Sequence, residues 1–149
     1  VIIVLYQPEI PQNTGNIVRT CSVTNTDLVL VTPLGFDTSD KYLKRAGLDY
    51  WDEVKITYVD DLISFIEKEN KPFYFLSSKV KKSYTTVSYT EDTMIIFGSE
   101  TKGLPEELFE RYPEQFVTIP MKEDVRCLNL SNSANIVLYE GLRQLNFPF

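Results

Sequence analysis

Histidine is absent from the 149 residues. No Ser-His-Asp triad, His general base or His metal ligand can therefore be assembled within the chain. Cysteine is nearly absent, Cys21 and Cys127 being the only two. Two thiols without histidine are too few ligands for a structural zinc site, and no metal is expected. The same scarcity favours a reducing compartment, so a cytoplasmic location is expected. No apolar run approaches the ~20 residues that span a bilayer, and no membrane partner is expected. The opening run Val1–Tyr6 is too short for a secretory signal and lacks a basic flank; its start on valine is read as the loss of a residue or two. Positive charge is in deficit, with 15 Lys and Arg against 21 Asp and Glu, a net charge of -6. That excludes a protein that coats nucleic acid by bulk attraction, while leaving room for a local basic patch. No G-x-G-x-x-G follows the first apolar run, and G-S-E-T-K-G at 98–103 lacks the Walker spacing, which excludes the two common nucleotide fingerprints.

What is present is an alternation of apolar runs with amphipathic segments. Val1–Tyr6, Asp27–Thr32, Val54–Tyr58, Phe73–Leu76, Thr93–Phe97 and Phe116–Ile119 read as strands. Helices are expected from Asn13 or Thr14, either able to cap, over Ser39–Ala46 with Gly47 as its end, from a cap at Asp60 to about Lys68, from a first turn containing Pro105, and from the Asn129 region onward. Ile17, Val18 and Cys21 of the first helix should face inward, with Arg19 off that face; Leu130, Ala134, Val137, Leu138, Leu142 and Leu145 should do the same in the last. Strands alternating with helices predict an α/β fold, a mostly parallel sheet with helices on both faces, in one domain over 1–149. Ligands of such sheets bind beyond the carboxyl ends of the strands. The polar segments after Tyr6, Leu76, Phe97 and Ile119 all lie there, and a crevice where these four loops converge is the expected site.

The candidate groups each have two readings. The Gly98–Gly103 segment is either a turn that needs glycine or a loop whose backbone holds a nucleotide-like ligand, with Glu100 and Lys102 orienting the loop or the substrate. Arg19 and Arg126 are either solvated, Arg126 beside Glu123 and Asp124, or phosphate contacts through their bidentate guanidinium groups. Cys127 is a small structural residue or, given a base other than histidine, a nucleophile. Asn129, Ser131 and Asn132 exceed what one helix cap requires, which points to a ligand or a tight chain contact at that helix start. Lys79, Lys81 and Lys82, with Tyr84 and Tyr89 interleaved, form a solvated loop or hold RNA by phosphate contact and stacking.

Four stretches carry a resemblance: L-Y-Q-P-E-I-P-Q-N-T-G-N-I-V-R at 5–19, K-R-A-G-L-D-Y at 44–50, F-G-S-E-T-K-G-L-P at 97–105, and I-P-M with R-C-L-N-L-S-N-S at 119–133. Over essentially its whole length the chain resembles the small SPOUT-superfamily (α/β knot) RNA 2'-O-ribose methyltransferases, and within them those acting on nucleotide 34 of tRNA. The resemblance implies a deep trefoil knot within about 74–149 and S-adenosylmethionine as cofactor, held largely by backbone at Leu76, Gly98, Ile119 and Cys127, with Leu128 adjacent. It implies catalytic roles for Arg19, Asn129 and Ser131, and RNA contacts by Asn13, Lys79, Lys81, Lys82, Glu100, Lys102 and Arg126. It further implies a homodimer with residues of both subunits near each site, and a tRNA anticodon stem-loop as substrate, methylated on the ribose of a wobble cytidine or modified uridine, leucine isoacceptors being expected. Alternatives within the same resemblance are another tRNA or rRNA position, or an RNA-binding relative without catalysis. Two departures stand out. Cys127 occupies a position where serine is usual, and Cys21–Thr26 lacks the glycine that usually follows the first helix.

Overall fold

The computed structural model describes residues 1–46 and 48–149. Six strands, β1 (Ile2–Tyr6), β2 (Asp27–Val31), β3 (Ile56–Val59), β4 (Phe73–Leu76), β5 (Met94–Phe97) and β6 (Phe116–Val117), form one sheet in the order β3-β2-β1-β5-β4-β6. Every ladder among them is parallel. A parallel strand is covered on both faces, which is why these runs are apolar without interruption rather than alternating. Ile3 and Leu5 of β1 lie in one buried cluster with Leu28, Leu30, Ile95 and Phe97, against α1 (Pro11–Thr24) and α5 (Leu130–Gln144). Val4 lies in the other with Val29, Phe75 and Ile96, against α3 (Leu62–Glu69) and α4 (Glu106–Arg111). The period-two direction of strand side chains thus builds a helix–sheet–helix sandwich.

The expected inward residues Ile17, Val18 and Cys21 are buried, as are Ala134, Val137, Leu138 and Leu142. Several boundaries differ from the sequence-based expectation, for local reasons. Helix α1 begins at Pro11, not Asn13 or Thr14. Proline lacks the N–H that the first helical residue cannot use, so it suits that place, and both Asn13 and Thr14 are buried within the first turns. The cap of α3 is Asp61 rather than Asp60, its carboxylate accepting from Ser64 N–H. Pro105 stands just before α4 as its cap residue, not in its first turn. The helix expected over Ser39–Ala46 is α2 (Lys41–Ala46), because Ser39 bonds back to Asp37 while Asp40 accepts from Tyr42 N–H. Gly47, its expected end, lies outside the described residues. Strand β6 is only Phe116–Val117, because the chain then changes partner: Thr118 N–H donates to Lys82 O and Tyr84 N–H donates to Thr118 O.

The missing glycine after α1 has a structural substitute. Asn25 takes the left-handed conformation there, φ 53° and ψ 46°, and its N–H returns to the carbonyls of Cys21 and Ser22. Asparagine is the commonest non-glycine residue to accept that conformation.

Two strands leave β1 in one direction and three in the other, so the order reverses between β1 and β5. The segments following those two strands, 7–10 and 98–105, flank that switch point. This is where an open α/β sheet offers its crevice.

Candidate active site

A cavity of about 600 Å³ opens at the carboxyl end of the sheet, within the range of small-molecule sites. The four expected loops do converge on it. After β1 come Ile10 and Asn13; after β4, Leu76 through Lys79; after β5, Gly98 through Leu104; after β6, Thr118, Ile119, Met121 and Cys127 through Leu130, with Ser133 from α5. Its walls mix apolar side chains (Leu76, Ile119, Met121, Leu128, Phe109) with small polar ones (Ser77, Ser78, Ser99, Thr118). This is the composition of a small-molecule site, apolar walls with a few polar groups that fix orientation.

The turn after β5 is the most constrained wall. Ser99 and Gly103 exchange both backbone hydrogen bonds, at 3.2 and 3.0 Å. Gly103 has φ 66°, the left-handed region that glycine tolerates. Gly98 is required for a different reason, since a Cβ there would stand 2.3 Å from Gly103 C and 2.6 Å from Leu104 N.

A chain of polar contacts ties this turn to the starts of α1 and α5. The Glu100 carboxylate accepts from the backbone N–H groups of Glu9 (2.8 Å) and Ile10 (2.7 Å) and from Asn13 Nδ2 (3.2 Å). A carboxylate at the first turn of α1 also complements the helix dipole, and α1 has no side-chain cap of its own. Asn13 Oδ1 in turn accepts from Asn129 Nδ2 at 2.9 Å. Asn129 Oδ1 accepts from Ser131 N–H, Asn132 N–H and Ser131 Oγ. Each amide orientation follows from the one before it, because a carboxylate can only accept and a helix N–H can only donate. The polar surplus at the start of α5 therefore serves a cap and a contact with α1 together. In the opposite direction, Glu9 accepts from Thr101 N–H (3.2 Å) and Thr101 Oγ1 (2.7 and 2.9 Å).

Those Thr101 donors, the hydroxyl first, hold the Glu9 carboxyl below its usual value of 4.5. A folded-state pKa that is depressed adds stability above the unfolded value, and that stability is lost as pH falls through the folded value. Wild type and Glu9→Ala should therefore differ most in thermal midpoint near neutral pH. Their midpoints should converge as the pH is taken below about 4, and a gap that is constant down to pH 2 in calorimetric melts would disprove the assignment.

Of the residues singled out from sequence, Asn13, Leu76, Lys79, Gly98 and Glu100 line the cavity, as do Lys102, Ile119, Cys127, Leu128 and Asn129. Arg19, Ser131, Lys81, Lys82 and Arg126 do not. Arg19 is exposed on α1 with its guanidinium 5.3 Å from the centre of the Tyr50 ring, and Ser131 is buried against Asn129. Lys79 is exposed beside the cavity, paired with Glu106 at 2.8 Å and over the Phe109 ring. Cys127 is exposed with its thiol 3.4 Å from Ser78 Oγ, whereas burial pushes the Cys21 thiol up to about 12. Sequence reasoning missed Glu9, Thr101, Ser78 and Met121. Glu9, Thr101 and Met121 lie within the quoted motifs, which is the signal that could have drawn attention to them; Ser78 carries none. Among the described residues no cluster of three or more metal-ligating side chains occurs, and no helix is long and apolar enough to cross a membrane.

The SpoU rRNA Methylase family matches residues 1–139. The tRNA (cytidine(34)-2'-O)-methyltransferase of Escherichia coli (strain K12) is 45% identical over 148 residues, spanning 98% of this chain and 94% of that one. A protein of Listeria monocytogenes serotype 4b (strain F2365), provisionally given the same enzyme name, is 53% identical over 149 residues, spanning 97% of this chain and 88% of that one. A solved structure concerned with the 2-OH methylation of C/U34 on tRNA superimposes with a TM-score of 0.89 at 40% identity, covering 97% of this chain and 95% of that one.

Proposed function

The chain belongs to the SpoU rRNA Methylase family, and from that premise we propose that it transfers a methyl group from S-adenosylmethionine to the ribose 2'-hydroxyl of nucleotide 34 of tRNA. The observation that carries this reading is the convergence of four loops on one cavity, three of them (after β1, β5 and β6) built from the sequence stretches that mark the family. The cavity suits the cofactor: its size, its apolar walls and its backbone-rich turn fit an adenosine held chiefly by main chain, at Leu76, Gly98, Ile119, Cys127 and Leu128. Cys127 in place of serine is mild on this reading, since its thiol lies out toward Ser78 while its backbone does the holding. The whole of 1–149 acts as one domain. A knot within 74–149, which the family resemblance implies, belongs to this reading, although threaded chains are rare.

Held at Leu76, Gly98, Ile119, Cys127 and Leu128, S-adenosylmethionine would supply an electrophilic methyl group for the ribose 2'-hydroxyl, which gives up its proton. The chain's contribution is alignment. Arg19 acts by charge rather than as the base; it holds the substrate phosphate and stabilises charge developing on the ribose oxygen, with the phosphate accepting the proton. Because Arg19 lies off the cavity of its own chain, it serves the cavity of a second copy. Exposed Val23 on α1 and exposed Ile136 and Tyr139 on α5 supply the apolar surface for such a homodimer. Lys79, Lys81, Lys82, Lys102 and Arg126 form the cationic rim for an anticodon stem-loop on an otherwise acidic protein. Asn13, Glu100, Asn129 and Ser131 act behind that rim by fixing α1, the turn and α5. The leucine isoacceptors are the proposed substrates, and the cytoplasm the proposed location.

Calorimetric titration with S-adenosylmethionine and mass-spectrometric mapping of tRNA nucleosides, with and without the gene, test this reading. A 2'-O-methyl group at position 34 that depends on the gene is expected. Binding without any modified nucleoside would favour a non-catalytic RNA-binding role, and a modified site elsewhere would reassign the substrate. Arg19→Lys should bind the cofactor normally yet turn over at least about 10-fold more slowly, having lost the planar bidentate fork; full turnover removes Arg19 from the mechanism.

A further inference from the structure

We propose that Glu9 is a positioning residue for methyl transfer, keeping helix α1 in register with the Gly98–Gly103 turn through Thr101; the inference rests on the methyltransferase reading above.

Glu9 stands where the two halves of the site meet. Its backbone is fixed from behind: Gly35 N–H donates to Pro8 O at 2.9 Å, and a Cβ on Gly35 would come within 2.9 Å of Glu9 Cα. Its N–H is fixed from in front by Glu100. From that held position its carboxylate accepts both donors of Thr101. Thr101 lines the cavity and Glu9 does not, so Glu9 acts through Thr101.

The contacts inside the turn set its shape but not its placement. Ser99 and Gly103 exchange backbone bonds across it, and Lys102 N–H donates to Ser99 Oγ within it. Placement relative to α1 comes from Glu100, which accepts from the backbone at Glu9 and Ile10 and from Asn13 Nδ2, and from Glu9 reaching forward to Thr101. Helix α1 starts two residues after Glu9 and carries Arg19. The turn therefore places the cofactor of its own chain, while α1 carries Arg19 to the cavity of the second copy, so the register of turn and α1 in each chain sets how Arg19 meets the cofactor across the dimer. Both groups of the Glu9–Thr101 contact lie at the surface, where a hydrogen bond adds little to global stability, yet a shift of about 1 Å between reacting groups can cost about 100-fold in rate. The consequence of losing Glu9 is thus kinetic first.

The test separates kcat from cofactor affinity. Glu9→Ala should lower kcat by about 10- to 100-fold while the calorimetric Kd for S-adenosylmethionine stays within about threefold and the melting midpoint moves by only a few degrees. Glu9→Gln keeps an acceptor for Thr101 and should recover kcat to within about threefold of wild type. Thr101→Val should resemble Glu9→Ala, and the double variant should be no worse than either single one, as for two ends of one contact. A kcat for Glu9→Ala within about twofold of wild type overturns the proposal. So does a parallel fall in kcat, affinity and melting midpoint that Gln fails to rescue, which marks a purely structural residue. If wild type itself neither binds S-adenosylmethionine nor methylates RNA, the underlying reading falls and takes this inference with it.

Discussion

Gly98→Ala should abolish measurable S-adenosylmethionine binding and leave methyl transfer at least about 100-fold below wild type. The reason is steric and sits in main chain. The added Cβ would lie 2.3 Å from Gly103 C, 2.6 Å from Leu104 N and 2.7 Å from Gly103 Cα. A flexible side chain could swing away from such an approach; a backbone locked by the paired Ser99–Gly103 bonds has to move as a unit. Overpacking of this kind costs about 1–3 kcal/mol, occasionally more. The displaced atoms are those that line the cavity, so the loss of binding should exceed what the stability change alone implies. Calorimetric titration of a variant that still melts cooperatively decides the point. Retention of wild-type affinity would mean that the turn can open without harm to the site.

Asn129→Ala should lower the unfolding free energy by roughly 2–4 kcal/mol, the sum of two losses. Removing the cap of α5 costs about 1 kcal/mol. Removing its Nδ2 leaves Asn13 Oδ1, on a residue only 5% exposed, without its donor, at about 1–3 kcal/mol. Asn13 cannot recover by turning its amide over, because its Oδ1 would then face the Glu100 carboxylate. At this chain length the melting midpoint should fall by roughly 5–15 °C. Asn129→Ser isolates the terms: its hydroxyl keeps an acceptor for the helix N–H groups but is too short to donate to Asn13. Thermal denaturation of the two variants should rank Ser between wild type and Ala. Equal stability of all three would show that the Asn13–Asn129 contact contributes nothing. The same variants should bind the cofactor more weakly, since Asn129 lines the cavity.

The layered sheet was legible because its signals are local. Uninterrupted apolar runs mark buried parallel strands, and Ile17, Val18 and Cys21 or Val137, Leu138 and Leu142 mark helix faces by spacing alone. The loops that converge follow from the general rule for parallel sheets. Boundaries were less legible wherever two adjacent residues competed for one role, as Asp60 and Asp61 did for the α3 cap. The contacts that shape the site were not legible at all. Glu9 meets Thr101 and Asn13 meets Glu100 across 92 and 87 residues, and Asn129 meets Asn13 across 116. No periodicity records a partner at that distance. The asparagine and serine surplus at 129–132 announced that a contact existed; only the folded chain identifies it as Asn13.

The cavity wall draws on residues from Ile10, near the start, to Ser133, within the last helix. A ribosome supplies chain at roughly 5–20 residues per second, and until α5 is made the nascent protein has the early strands but no closed binding site. The Asn13–Asn129 contact can form only once α5 is free of the exit tunnel. Fragments from translation stalled before α5 should therefore be unable to sequester the methyl donor, and competence would arrive in a single step once α5 emerges.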